Sequence, residues 1–102
     1  MTSRKGYIYA ELDIFDPATF YDEYMPAVRP ILEEYGAVFL IASNEVRVIE
    51  GDRTVKRVIL LEFESPERAR EFFTSKAYQD IIDLRFRSST AHLYHIDGVA
   101  PA

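Results

Sequence analysis

Two short runs constrain this chain more than anything else in it. Residues 37–42, Ala-Val-Phe-Leu-Ile-Ala, are apolar without a break. Within residues 56–63, Lys-Arg-Val-Ile-Leu-Leu-Glu-Phe, apolar side chains again fall on successive positions. Neighbouring side chains of a strand point to opposite faces, so a strand apolar on both faces must be covered on both. The remaining elements decide what is available to cover them.

Residues 7–15 alternate as a strand, with Ile8, Ala10, Leu12 and Ile14 on one side and Tyr7, Tyr9, Glu11 and Asp13 on the other. Asp16-Pro17 predicts a helix start, an acceptor at the cap followed by proline at the first helical position. Phe20, Tyr24, Val28, Ile31 and Tyr35 then form one apolar stripe, interrupted by Pro26 and Pro30, which predict a kink or two short helices. Gly36 suits the left-handed position past the helix end. After the run 37–42, Ser43-Asn44 makes a turn, residues 45–50 alternate as a small hairpin extension, and Gly51-Asp52 turns again. Ser65-Pro66-Glu67 repeats the helix-start signature, and Ala69, Phe72 and Phe73 supply its buried face. A break near Thr74-Ser75 precedes a further helix carrying Tyr78, Ile81, Ile82 and Arg85 on one face. A last strand runs from about Ser89 to Ile96.

The order strand, helix, strand, strand, helix, strand predicts an α+β, ferredoxin-like domain spanning 1–102, an antiparallel sheet with helices on one face. Helices on one face leave the other face of both apolar runs bare. The expected cover is the same face of a second copy, giving a homodimer.

Composition narrows the partners. The net charge is −5, and the positive residues are interspersed with acids, which argues against nucleic acid. There is no cysteine, hence no disulfide, thiolate metal site or cysteine nucleophile. No apolar run has the length of a membrane span or of a signal peptide, which leads to the expectation of a cytoplasmic protein. Phosphate loops, dinucleotide fingerprints, GxSxG and HExxH are missing from the sequence.

Several residues are candidates for chemistry. Glu62 shares a strand face with Val58 and Leu60. If helices cover Ile59, Leu61 and Phe63, Glu62 points into the space between subunits, where a desolvated carboxylate can act as acid or base. The competing reading is a solvated charge at a strand end. Arg85 continues an apolar stripe and could clamp a carboxylate or set the protonation of Glu62, or simply snorkel at a helix end. His92, on the face of Thr90 and Tyr94, could line a pocket. His95 lies on the opposite face, so the two do not suit one metal, and no metal or cofactor is expected. Tyr7, Tyr9, Tyr24 and Phe39 could form an aromatic cavity wall or serve as ordinary packing. The direction of Arg29, between two prolines, stays open.

The segments Lys5-Gly6-Tyr7-Ile8, Tyr35-Gly36-Ala37-Val38-Phe39-Leu40, Glu50-Gly51, Ile59-Leu60-Leu61-Glu62-Phe63, Phe72-Phe73-Thr74-Ser75-Lys76-Ala77-Tyr78-Gln79, Leu84-Arg85 and Asp97-Gly98 together resemble the domain-of-unknown-function family 1330, of the dimeric α/β-barrel superfamily. The resemblance spans about residues 5 to 98. It departs at Gly36-Ala37, where a Gly-Gly pair is common. It implies a homodimer of stacked sheets with a cavity in each half, and it marks Phe39, Glu62, Tyr78 and Arg85 as pocket or family-defining positions. Superfamily relatives include antibiotic-type monooxygenases, muconolactone isomerase-like proteins, chlorite dismutase-like haem proteins and plant stress proteins. The expectation is therefore a dimer that binds or transforms a small apolar or carboxylate-bearing molecule between sheet and helices, by cofactor-independent oxygenase- or isomerase-like chemistry. Glu62 and Arg85 would be its catalytic residues, with Tyr24, Phe39, Tyr78 and His92 around the substrate. The alternative is a non-catalytic dimer in which Glu62 and Arg85 form a structural ion pair.

Overall fold

The computed structural model describes residues 4–100. Its strands are β1 (Gly6–Ile14), β2 (Val38–Ser43), β3 (Arg57–Phe63) and β4 (Ser89–Asp97). They pair antiparallel in the order β2-β3-β1-β4. Helical segments fill the two crossovers. The first holds α1 (Pro17–Thr19), a π-helical turn (Phe20–Tyr24) and α2 (Met25–Glu34); the second holds α3 (Pro66–Thr74), α4 (Lys76–Gln79) and α5 (Ile82–Phe86). This is the expected α+β, ferredoxin-like arrangement.

The helix starts form where the sequence places them. Asp16 accepts from the Thr19 amide at 3.2 Å and from its hydroxyl at 2.7 Å, and Ser65 accepts from the Arg68 amide at 3.1 Å. Proline follows each cap, where its missing N–H costs nothing. Ser75 ends α3 and caps α4 by accepting from the Tyr78 amide, which makes the break anticipated at 74–75. Gly36 takes φ +71°. The Gly36 and Ala37 amides bond back to the Glu33 and Leu32 carbonyls, closing α2 in a Schellman turn.

The prolines act through a wider turn. The Met25 amide bonds to the Phe20 carbonyl, five residues back, and Pro26, with no N–H, sits in the first turn of the ordinary helix that follows. Pro30 is accommodated inside α2. The extra residue rotates the stripe: Phe20, Tyr24, Met25, Val28 and Leu32 are buried, while Ile31 and Tyr35 are only half-buried.

On the helix side of the sheet Ile8, Ala10 and Leu12 of β1 meet Ile59, Leu61 and Phe63 of β3, all buried, under Phe72, Ala69 and the π turn. At Gly6 the backbone approach is so close that a Cβ would lie 2.5 Å from Pro66 Cα. The opposite face carries Tyr7, Tyr9 and Glu11, paired across the sheet with Glu62, Leu60 and Val58 on one side and with Ile96, Tyr94 and His92 on the other.

β2 is an edge strand whose register with β3 slips at Leu40, and Val38, Leu40 and Ile41 are all exposed within the single chain, because α2 reaches only the Phe39 side. One expectation needs correction. Residues 45–50 form no hairpin extension; the chain between β2 and β3 is an irregular arm with Ile49 95% exposed. A two-stranded ribbon with nothing to pack on is marginal at best, so alternation alone does not make it a strand pair.

Candidate functional site

A cavity of about 50 Å³ lies between the sheet and the helices. Its walls are almost wholly apolar, from Ile8 and Leu12 of β1, Phe39 of β2 and Leu93 of β4 to Val28 and Phe73 on the helices. One end is polar. There the Tyr24 and Tyr78 hydroxyls lie 2.8 Å apart, and Arg85 Nε donates to the Tyr78 hydroxyl oxygen at 3.2 Å.

Each of these three side chains is held by local structure. The π turn swings Tyr24 under the sheet, where its ring packs against Phe20 at 5.2 Å. Tyr78 is fixed by the Ser75 cap and packs on Phe72 at 4.7 Å and Phe73 at 5.5 Å. Arg85, 8% exposed, closes α5; its carbonyl accepts from the Ser88 amide and from the Ser88 and Ser89 hydroxyls. These buried serines escaped the sequence reading. The signal for them was a pair of small hydroxyl residues directly after a helix end, where orphan carbonyls need donors.

Burial pushes the Tyr24 hydroxyl well above the ordinary tyrosine value of 10.0; Tyr78 acts in the same direction and the Arg85 charge opposes it. Tyr24 therefore stays protonated near neutrality and serves as a hydrogen-bonding hydroxyl rather than a base.

The structure gathers Tyr24, Phe39, Tyr78 and Arg85 around this cavity and leaves two of the expected site residues outside it. Glu62 points to the open face, where its Oε2 accepts from the Tyr7 hydroxyl at 3.0 Å. That contact is the main cause raising the Tyr7 pKa. His92 is also on the open face, opposite Glu11 across the β1–β4 pair, and is exposed. Glu11 itself accepts from Tyr9 at 3.1 Å and pairs with Arg53 at 2.6 Å. The Glu62–Arg85 ion pair of the alternative reading is accordingly not formed within the chain. Glu62 stands between Leu61 and Phe63, which face the helices, so strand parity sends it to the other side of the sheet from Arg85. Arg29, exposed on α2, lies over the Phe39 ring at 5.6 Å, at the outer edge of the cavity wall. Among the described residues no group of three His, Cys, Asp or Glu is placed to hold a metal ion, and no helix is long and apolar enough to cross a membrane.

The family model described as Domain of unknown function (DUF1330) matches residues 5–99. The chain belongs to this family. No curated protein matches this DUF1330 chain. Among solved structures, a protein of unknown function from Rhodopseudomonas palustris is similar with a TM-score of 0.75 at 14% identity, over 97% of this chain and 85% of that one. A hypothetical Arabidopsis thaliana protein gives 0.62 at 11% identity, over 100% and 93%. SnoaB, a cofactor-independent oxygenase from Streptomyces nogalater, gives 0.60 at 10% identity, over 98% and 95%. At these identities the likeness is one of fold, the α+β fold of a four-stranded antiparallel sheet with helices.

Proposed function

We propose that this DUF1330 protein is a homodimer, paired through the open face of the sheet, that binds or transforms a small apolar or carboxylate-bearing molecule in the cavity between sheet and helices. The observation that carries the reading is the cavity itself: apolar walls with the polar atoms of Tyr24, Tyr78 and Arg85 converging at one end, the pattern of a site that orients a small ligand. The fold likeness to SnoaB favours chemistry without a cofactor as the reaction class.

The dimer rests on the open face. Tyr9, Leu60 and Tyr94 stand side by side with Ile41 at the strand edge; Tyr94 and Ile41 are exposed, Tyr9 and Leu60 only half-buried, and no helix among the described residues packs on this face. A two-layer sandwich buries one side of its sheet, and a second copy is the simplest cover for the other. In such a dimer Glu62 is an interface residue paired with Tyr7, and it serves the assembly rather than the cavity.

Sedimentation equilibrium tests the assembly. Wild type is expected as a dimer and Leu60→Asp as a folded monomer; a wild type that stays monomeric at all concentrations removes the dimer. Dissolved xenon tests the cavity by NMR. Shifts at Val28, Leu93 and Tyr78 are expected, and their absence would leave the binding reading without a site.

A further inference from the structure

The donors at the polar end of the cavity outnumber the acceptors, and this identifies the ligand's head group. Tyr24 and Tyr78 together own two hydroxyl protons. The bond between them uses one, whichever residue donates it. The Tyr78 oxygen also accepts from Arg85 Nε. One hydroxyl proton is left over, and the four N–H groups on the Arg85 terminal nitrogens bond to no group among the described residues; these nitrogens reach accessible space, and the guanidinium lies over the Phe86 ring at 5.0 Å. Every ion pair among the described residues is made by another cation, at Arg53, Lys56, Arg68, Lys76 or Arg87. Arg85 is thus a nine-tenths buried cation, lining the cavity, with no carboxylate beside it.

Resting on the cavity reading above, we infer that the ligand is a short-chain monocarboxylate whose head sits on the Arg85 fork and the Tyr24–Tyr78 hydroxyls. An ionised carboxylate offers acceptors and no donors, which complements a site with more donors than acceptors. Because Nε is committed to Tyr78, the carboxylate takes the end of the fork, one oxygen to each terminal nitrogen. One buried positive charge balances one negative charge, so a monoanion fits better than a dianion. Size sets the tail. A volume of 50 Å³ holds roughly four waters at the ~10–15 Å³ each requires, so the tail is a few carbons long and meets only apolar wall.

The test titrates wild type with propionate and with propionamide, its neutral isostere, following the Tyr24, Tyr78 and Arg85 signals by NMR. Propionate is expected to bind on the order of 10-fold tighter or more, the worth of charge-assisted hydrogen bonds. Arg85→Met is expected to erase that preference while keeping the xenon shifts of a folded cavity, and Tyr24→Phe, which keeps the ring, to reduce it several-fold. Octanoate is expected to bind more weakly than propionate. Equal binding of acid and amide, or propionate binding that Tyr24→Phe and Arg85→Met leave unchanged, overturns the inference while the cavity stands. Xenon shifts with no propionate binding also overturn it. Failure of xenon as well overturns the cavity reading on which it rests.

Discussion

The two faces of the central sheet are made from the same strands and differ in almost every other respect. On the helix side Ile8, Ala10 and Leu12 lock against Ile59, Leu61 and Phe63, and the one buried charged side chain among the described residues, Arg85, has no carboxylate beside it. On the open side Tyr7, Tyr9, Val58 and Leu60 are half-covered, and each carboxylate has its donor, Glu62 from Tyr7 and Glu11 from Tyr9 and Arg53. Alternation assigns each residue to a face, and a one-residue slip in register would exchange the two populations. The lesson is that the carboxylates of the open side are matched by donors of the same chain, while the buried cation of the helix side is not matched, and the proposed dimer face and ligand site rest on that contrast.

The comparison can be broken most directly in the core. Phe72→Ala is expected to cost about 3–5 kcal/mol, the usual loss for a large buried aromatic. Leu60→Ala on the open face is expected to cost under about 1 kcal/mol in the dissociated protein. Denaturant unfolding at low protein concentration measures both, and similar losses would mean that the open face is already covered within one chain. Gly6→Ala comes next, at about 1–3 kcal/mol, because the new methyl would meet the Pro66 and Ser65 backbones and α3 must shift away from β1. Removing the α3 cap by Ser65→Ala is expected to cost about 1 kcal/mol.

Arg85→Met sharpens the electrostatic half of the contrast. With no ion pair to break, stability should change by less than about 1 kcal/mol, whereas breaking a buried pair costs about 3–5. A loss in that upper range would reveal an acidic partner. The smallest effect lies at the α1 cap. The Thr19 hydroxyl and amide hold the Asp16 carboxyl below its ordinary value of 3.8, with the Arg87 charge adding to this. A depressed folded-state pKa stabilises the fold above the unfolded value, and that contribution fades as pH falls through the folded one. The acid limb of a stability-against-pH curve is therefore expected to flatten slightly in Asp16→Asn, and an unchanged limb would deny the cap this role.

What was legible in the sequence was local. Caps at Asp16, Ser65 and Ser75, the glycine at 36, the alternation of β1 and the parity of Glu62 against Leu61 and Phe63 depend on neighbours within a few residues. They gave the element order, and with it the ferredoxin-like fold. Beyond that reach the reading failed in identifiable ways. Residues 37–42 are as apolar as a central strand, but whether a strand lies at an edge depends on which others pair beside it. Alternation at 45–50 lacked a surface to bury against. Tyr24, Tyr78 and Arg85 were each singled out, yet their meeting at one point depends on a π turn, a serine cap and two buried serines on separate segments. The ion pair that the alternative reading gave to Glu62 and Arg85 is not formed within the chain, because the sheet itself stands between them. Strand parity already told which way Glu62 points, while the side on which Arg85 arrives was set by the packing of α5 against β4. Short-range hydrogen bonding and periodicity are properties of the chain; the company a side chain keeps across the fold is a property of how the layers close.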